Sequence, residues 1–235
     1  MPKDLKPFRF KNFSIKQNSS VFRVGTDAVL LGALTTATNI KTALEVGCGT
    51  GIISLMIAQR NPNCSIIAID IDENASNLAQ ENFDNSIYHK RIKSINFNFN
   101  EYQPDQRFDL IFSNPPYFET NASDKDKIAR QRLTLDFEDL IEKSSQLLSK
   151  NGVFSVIIPS EYENLFIEVC RTHSLFLQRR VNIKGIEHNP KKRVILEFSF
   201  STKETQDEDF IIEKSPRQYS DQYLEATKDF HIFNS

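Results

Sequence analysis

The chain has only three cysteines, Cys48, Cys64 and Cys170, with no C-x-x-C pair among them. So few and so dispersed, they exclude a disulfide framework and a zinc ligand set. The histidines are His89, His173, His188 and His231, with no metal spacing, and they read as structural or surface groups. No apolar run approaches the roughly 18 residues that a membrane span needs. The opening MPKDLKPFRFKNF is basic but leads to no apolar stretch with a small-residue cleavage site, so no signal peptide is read and a cytoplasmic location is expected. A dominant charge is missing as well, since 29 Lys plus Arg face 31 Asp plus Glu. What is present is 235 residues, 39% hydrophobic and 26% charged, a balance that argues against disorder, collagen and coiled coil. A compact chain of this mass buries roughly 72% of its unfolded surface, enough for a core without cross-links. One domain is expected, with residues 1–24 as an N-terminal hairpin, 25–200 as the core and 201–235 as a tail packed on it.

The near-neutral total conceals segregation. Residues 1–23 hold six Lys or Arg and one acid, and residues 171–193 hold seven and one, whereas residues 68–84 hold five acids and no base. Local charge of this kind leaves a nucleic-acid partner open. The stretch Phe8 to Val24 alternates apolar and polar residues around Gln17-Asn18-Ser19-Ser20, which predicts a short β-hairpin turning there. Thr26-Asp27 offers N-cap chemistry to the apolar helix AVLLGALTT. Strands and helices then alternate: ALEV, the helix IISLMIAQR, SIIAID, a helix with Ala75, Leu78, Ala79, Asn82 and Phe83 on one face, INFNF, and FDLIFSN. A helix from about Phe137 to Leu148, closed by Asn151-Gly152, precedes the strand VFSVIIP. Ser160-x-x-Glu163 reads as a capping box for another helix, and LFLQRRVNI and RVILEFSF follow as late strands. The pattern predicts an α/β fold, a mostly parallel sheet built from right-handed βαβ units.

Glu45-Val46-Gly47-Cys48-Gly49-Thr50-Gly51 lies between a strand and a helix, where glycines let the backbone turn tightly and approach a ligand. The spacing is G-x-G-x-G, not the G-x-G-x-x-G of dinucleotide binders, and no Gly-Lys-Ser/Thr follows to cradle phosphate. The acid Glu45 before the glycines suits a cationic ligand, which points to S-adenosylmethionine with its sulfonium and ammonium groups. Asp70, at the end of the second strand of the alternating series, can accept both ribose hydroxyls, while Asp72 is the better helix cap. Cys48 has no histidine partner and is not read as a nucleophile.

Asn114-Pro115-Pro116-Tyr117 follows the strand FDLIFS directly, where an open α/β sheet places its ligand crevice. An exocyclic amine on adenine is a poor nucleophile because its lone pair is delocalised. The Asn114 side-chain oxygen and the Pro115 carbonyl can accept its two N–H bonds and favour the pyramidal geometry of the transition state. Proline fixes φ and keeps the residue before it extended, which holds both acceptors rigidly. Tyr117 offers a face on which a planar target can stack.

Together with Val24-Gly25-Thr26-Asp27-Ala28-Val29-Leu30-Leu31, these motifs resemble the class I S-adenosylmethionine-dependent N-methyltransferases. More closely, the chain is similar to the bacterial tRNA1(Val) (adenine-37-N6)-methyltransferases, over nearly its whole length. Ala129-Arg130 with Thr134-Leu135, Arg193-Val194 and Gln218-Tyr219-Ser220 all have counterparts there. The resemblance implies a Rossmann-like, seven-stranded sheet with an antiparallel last strand, and S-adenosylmethionine as cofactor with no metal. It implies that Glu45, Gly47, Gly49 and Gly51 wrap the methionine part and that Thr26 and Asp27 close over that end. It also implies that Asp70 binds the ribose, that Glu101 stands where relatives carry Asp to read the adenine, and that Asn114 through Tyr117 hold the target amine. The implied partner is the tRNA anticodon loop, met by a monomer with no membrane contact. The Asn-Pro-Pro-Tyr element is shared with glutamine N5-methyltransferases of release factors and guanine N2-methyltransferases of rRNA, so both remain alternatives. An RNA-binding factor that keeps only the Rossmann-like shell is the non-enzymatic one. Candidate phosphate contacts are Arg9, Lys11 and Arg23, then Lys125, Lys127, Arg130 and Arg132, then Arg179, Arg180, Lys191, Lys192 and Arg193. Phe97-Asn98-Phe99 and Phe198-Ser199-Phe200 read as core strand faces.

Overall fold

The computed structural model describes residues 3–21, 23–116 and 137–232. A two-stranded antiparallel ribbon, β1 (Asp4–Arg9) and β2 (Ser14–Asn18), precedes the first helix, α1 (Thr26–Leu34). The alternating series follows as β3 (Thr42–Val46), α2 (Ile52–Arg60), β4 (Ser65–Asp70), α3 (Glu73–Asp84), β5 (Ile92–Asn96) and β6 (Phe108–Ser113). Helix α4 covers 137–147 among the described residues and runs into β7 (Leu148–Pro159). Then come α5 (Glu163–Thr172), β8 (Phe176–Ile186), β9 (Arg193–Ser199), β10 (Gln206–Ser215), β11 (Gln218–Tyr219) and α6 (Asp221–Thr227).

One sheet joins nine strands in the order β11-β10-β8-β9-β7-β6-β3-β4-β5. All seven strands expected in the α/β part are present, and β9 runs antiparallel to both neighbours, β7 and β8. Two further strands, β10 and β11, extend the sheet beyond β8. β10 escapes a sequence reading because it begins Gln-Asp-Glu-Asp; its acids are stabilised across the strand pair, with Asp207 on Arg180 at 2.6 Å, Glu208 on Arg179 at 2.7 Å and Asp209 on Lys184 at 2.6 Å.

Both faces of the sheet are buried, one under α1, α2, α3 and the ribbon with Leu30, Leu31, Leu55 and Phe83, the other under α4 and α5 with Phe137, Ile141 and Phe166. The parallel order reverses between β3 and β6, the switch point at which such sheets bind ligands.

Several local expectations need correction. The ribbon turns at Phe10 to Phe13, where the Phe10 amide bonds the Phe13 carbonyl at 2.9 Å and both rings sink into the core. Gln17 and Asn18 instead belong to β2, and the Asn18 side chain then accepts from the Ser20 and Val21 amides to turn the chain toward α1. Gly25, not Thr26 or Asp27, is the N-cap of α1. Asn151-Gly152 does not end a helix: it lies in β7, in an irregularity of the β6 pairing where a Cβ on Gly152 would come within 2.9 Å of the Phe108 carbonyl oxygen. The Ser160 hydroxyl donates to the Lys191 carbonyl, so no capping box forms, and Tyr162 is the N-cap of α5. Asp72 does cap α3, accepting from the Asn74 amide at 2.9 Å.

Gly51 stands at φ 75°, where an added Cβ would lie 2.4 Å from the Phe83 ring. Its missing side chain lets α2 pack against α3, and the left-handed backbone is strained for any other residue. Gly51→Ala is therefore expected to destabilise the fold by about 2 to 5 kcal/mol, combining backbone strain with overpacking. Gly49→Ala, at φ 53° but facing open space, should cost only about 1 to 2 kcal/mol. Urea denaturation midpoints of the two variants test this difference.

Candidate active site

The glycine-rich turn after β3 is held by its own backbone and by β4. The Gly47 and Cys48 amides donate to the Ile69 carbonyl at 2.8 and 3.1 Å, and the Gly51 amide returns to the Cys48 carbonyl at 2.7 Å. Asp70 fixes the turn from the neighbouring strand: one carboxylate oxygen accepts from the Gly49 amide at 2.8 Å, the other from the Asp72 amide at 3.0 Å. Gly47 and Gly49 both have positive φ, and a Cβ on either would meet nothing within 4 Å. The turn thus leaves a lined but open space at the strand ends, of the kind a ligand backbone can fill. Asn82, on α3, ties this turn to the N-terminal ribbon, donating to the Thr50 carbonyl at 2.9 Å and accepting from the Lys16 amide at 2.7 Å.

Glu45 is fully buried. Its Oε2 accepts from the Ser54 hydroxyl and, at 3.2 Å, from the Ser54 amide, while Oε1 finds no donor among the described residues. Burial pushes its carboxyl up from the ordinary 4.5 to about 8, against the opposing bonds from Ser54 and with a further upward push from Asp70. Asn114 follows β6 on the other side of β3, and its Oδ1 is likewise a buried oxygen without a donor among the described residues. Ser113, just before it, is buried and donates its hydroxyl to the Val46 carbonyl at 2.8 Å, which locks β6 to β3 next to the turn. Pro115 is buried and Pro116 exposed, whereas Tyr117 lies outside the described residues. Burial also raises the Cys48 thiol well above its usual value, so it is not a thiolate.

Asp27 accepts from the Arg193 guanidinium at 2.9 Å, joining α1 to the start of β9, and Thr26 beside it is exposed. Glu101 sits differently from the expectation. β5 ends at Asn96, not Phe99, and Glu101 closes a short 3-10 turn, Phe99–Glu101, where it is exposed and accepts from Asn98 at 3.0 Å. The same shift leaves Phe97 at 41% exposure, not in the core. The Phe97 amide donates to the Asp70 carbonyl at 3.1 Å, and Ile71, next to Asp70, is 73% exposed. Sequence reading missed these two apolar groups because a run of alternating Phe and Asn looks like one strand. The signal available was Ile71 itself, an apolar residue between two aspartates.

The expected RNA contacts divide. Arg9, Arg23 and Lys192 are exposed, and the exposed Lys11 ammonium donates to the Lys228 carbonyl at 2.5 Å. Arg179 is engaged by Glu208, Glu197 and the Leu34 carbonyl. Arg180 and Lys191 both hold Glu163, each at 2.6 Å, and Arg193 holds Asp27. Much of the 171–193 cluster is therefore neutralised within the fold. Lys125, Lys127, Arg130 and Arg132 lie outside the described residues.

The fold and the strand-end crevice define the Rossmann-like methyltransferase class. Two solved structures share it: a protein of Agrobacterium tumefaciens described as a predicted O-methyltransferase, with TM-score 0.68 and 16% identity over 87% of this chain and 96% of that one. The second is a methyltransferase of Pyrococcus furiosus, with TM-score 0.63 and 20% identity over 82% of this chain and 91% of that one. Residues 14–179 match the family model for the methyltransferase small domain, and the chain belongs to that family. Among curated relatives, one from Flavobacteriaceae bacterium (strain 3519-10) is 48% identical over 97% of this chain and 100% of its own. Another, from Trichodesmium erythraeum, is 37% identical over 96% and 97%. Both are named tRNA1(Val) (adenine(37)-N6)-methyltransferase.

The residues fit the methyl donor of this class, S-adenosylmethionine. The buried Glu45 oxygen that has no donor among the described residues suits its cationic end, the open turn at Gly47 and Gly49 admits its backbone, and the Asp70 carboxylate stands at the next strand end. Among the described residues, no group of His, Cys, Asp and Glu is placed to hold a metal ion, and no helix is long and apolar enough to cross a membrane.

The raised Glu45 carboxyl has a measurable consequence. Between about pH 4.5 and 8 the folded protein holds a proton that the unfolded chain has released, so the stability this group contributes is full at low pH and declines as pH rises through that window. Glu45→Gln removes the titration, and its urea stability relative to the parent should rise between pH 5.5 and 8.5. A constant difference between the two proteins would show that Glu45 does not titrate there.

Proposed function

We propose that the protein transfers a methyl group from S-adenosylmethionine to the exocyclic N6 of adenine in tRNA, with adenine 37 in the anticodon loop of tRNA1(Val) as the target. The acting unit is a monomer in the cytoplasm. The observation that carries this reading is the buried Asn114 Oδ1 at the switch point, without a donor among the described residues, in a chain 48% identical to a relative of that name.

Bound S-adenosylmethionine supplies a methyl carbon made electrophilic by its positively charged sulfur. Glu45 Oε1 accepts from the cationic end of the cofactor while Ser54 holds the other oxygen, and the positive charge draws the carboxyl back toward its ionised form. Gly47, Gly49 and Gly51 shape the turn around the methionine part, and Thr26 and Asp27 border it. Each Asp70 oxygen already accepts one backbone amide and keeps a lone pair for a ribose hydroxyl. Ile71 and Phe97 flank the adenine of the cofactor, and Glu101, on its exposed turn, accepts from the adenine's edge.

Asn114 Oδ1 and the Pro115 carbonyl accept the two N–H bonds of the target amine. That geometry pulls the nitrogen lone pair out of conjugation and aims it at the methyl carbon, an interaction stronger in the transition state than in the ground state. Pro115 and Pro116 keep both acceptors fixed, and Tyr117 stacks on the base. No side chain has to remove the proton, because the methylated amine is acidic enough to lose it to water. An adenine in a single-stranded loop reaches the crevice with modest unstacking, and Arg9, Arg23 and Lys192 contact phosphates.

Asn114→Ala should lower kcat by about 10²- to 10³-fold, as removal of one oxyanion-type partner does, while the dissociation constant for S-adenosylmethionine changes little. Methyl transfer to a tRNA1(Val) transcript, read as N6-methyladenosine by nucleoside mass spectrometry, measures it. Undiminished transfer by the variant, or methyl appearing on protein or guanosine instead, overturns the assignment.

A further inference from the structure

Two consecutive residues of the N-terminal ribbon, Lys16 and Gln17, reach the two sides of the crevice assigned to the cofactor. Toward α3, the Asn82 side chain pairs with the Lys16 backbone as a neighbouring strand would. Its Oδ1 accepts from the Lys16 amide at 2.7 Å, and its Nδ2 donates to the Lys16 carbonyl at 3.2 Å and to the Thr50 carbonyl at 2.9 Å. These bonds fix which way the amide faces, since the flipped group would set its amine against the Lys16 N–H and its oxygen against two carbonyls. Asn82 and Thr50 are both buried. Toward α1, the buried Gln17 side chain accepts through Oε1 from the Val24 amide at 2.9 Å and donates through Nε2 to the Lys6 carbonyl at 3.1 Å. Val24 directly precedes Gly25, the N-cap of α1, and so stands two residues before Thr26.

The turn reached through Asn82 is costly to hold in one shape. Gly47, Gly49 and Gly51 all stand at positive φ, and glycine loses more backbone freedom on ordering than any other residue. Asp70 restrains Gly49 from β4, and Asn82 restrains the next residue, Thr50, from α3. The ribbon is itself anchored away from the crevice. Phe10, Phe13 and Ile15 are buried in the core, and the Lys11 amide donates to the Phe230 carbonyl at 2.8 Å. Lys16 and Gln17 carry that anchorage to the glycine turn on one side and to the approach of α1 on the other. A ligand that meets both walls already ordered does not have to order them, and its affinity rises accordingly.

We propose that the ribbon positions the binding site for S-adenosylmethionine, acting through Asn82 on the glycine turn and through Gln17 on the approach to α1. Both are positioning residues, and their role rests on the placement of the cofactor at this turn given above. Coupling between two sites is reciprocal, so a ribbon that orders the cofactor's turn is itself held more firmly once the cofactor is bound.

Calorimetry and hydrogen exchange on the full chain test this. In the parent, exchange of the amides at 14–18 should slow on saturation with S-adenosylmethionine. Asn82→Ala and Gln17→Ala should each raise the Kd for S-adenosylmethionine roughly 5- to 150-fold, and in Asn82→Ala the slowing at 14–18 should disappear. Gln17→Glu keeps an acceptor for the Val24 amide and should recover most of the affinity. Glu81→Gln removes the exposed Lys16–Glu81 ion pair and should leave the Kd unchanged. A loss there as large as in Asn82→Ala would assign the effect to general loosening of the ribbon and overturn the proposal. Exchange at 14–18 that ignores the cofactor, or parental affinity in both alanine variants, overturns it as well. Should Asn82→Ala not fold, the parent's exchange and the Gln17 variants decide. Asp70→Ala separates the two readings. If it binds the cofactor as the parent does, the placement of the cofactor falls and the ribbon's role with it. If it loses the cofactor while the alanine variants keep it, the placement stands and only the ribbon's role fails.

Discussion

Glu45 and Asn114 each bring an oxygen into the interior, at the ends of adjacent strands, that no donor among the described residues satisfies. A buried acceptor left this way costs about 1 to 3 kcal/mol, and much of the surrounding structure serves to prevent relaxation. Ser54 pins one side of the Glu45 carboxylate, Ser113 locks β6 to β3, and Pro115 limits what Asn114 can do to escape. The acceptors are therefore organised before any ligand arrives. A ligand that brings donors recovers the lost bonds without reorganising the protein, which is the condition under which fixed dipoles act most strongly on a transition state.

The parts of the site that could be read in advance were those set by local chemistry. The Glu45 to Gly51 turn, the Asp72 cap and the placement of Asn114 after β6 follow from turn residues and strand-length apolar runs, and each lies within a few positions of the strand that fixes it. Glu101 shows the limit. Phe97 and Phe99 alternate with Asn like a strand, but Asn96 bonds the Asp70 and Ile71 carbonyls and ends β5 early. A contact with another strand decided that boundary, and no pattern within the segment carries it. The capping box at Ser160 failed in the same way: its hydroxyl donates to Lys191, and Glu163 is taken by Arg180 and Lys191.

Charge segregation along the chain misled for a related reason. Arg179 and Arg180 look like RNA contacts, and Lys184 belongs to the same basic stretch, until β10 is paired parallel to β8, which brings Asp207, Glu208 and Asp209 opposite them. Residues 206–209 fall in the segment expected as a tail packed on the core, and only their register with β8 makes them a strand. Partly exposed pairs of this kind contribute modestly one by one, but they set the register of an edge that has little apolar surface, and they withdraw three cations from any partner.

Ion pairing also ties the strand ends to the first helix. Thr26 lies there at the start of α1, the helix whose Asp27 is held by Arg193. Arg193 in turn pairs in register with Pro159 at the end of β7, the strand next to β6. One ion pair, about a quarter exposed at each end, therefore connects α1 with β9 and, through its pairing, with β7 and β8. The turn after β3, Asp70 at the end of β4 and Asn114 after β6 all lie within the residues the family model covers. The antiparallel β9 joins β8, and through it β10 and β11, to the strands that carry these residues, and the Asp27–Arg193 pair fixes its start against α1.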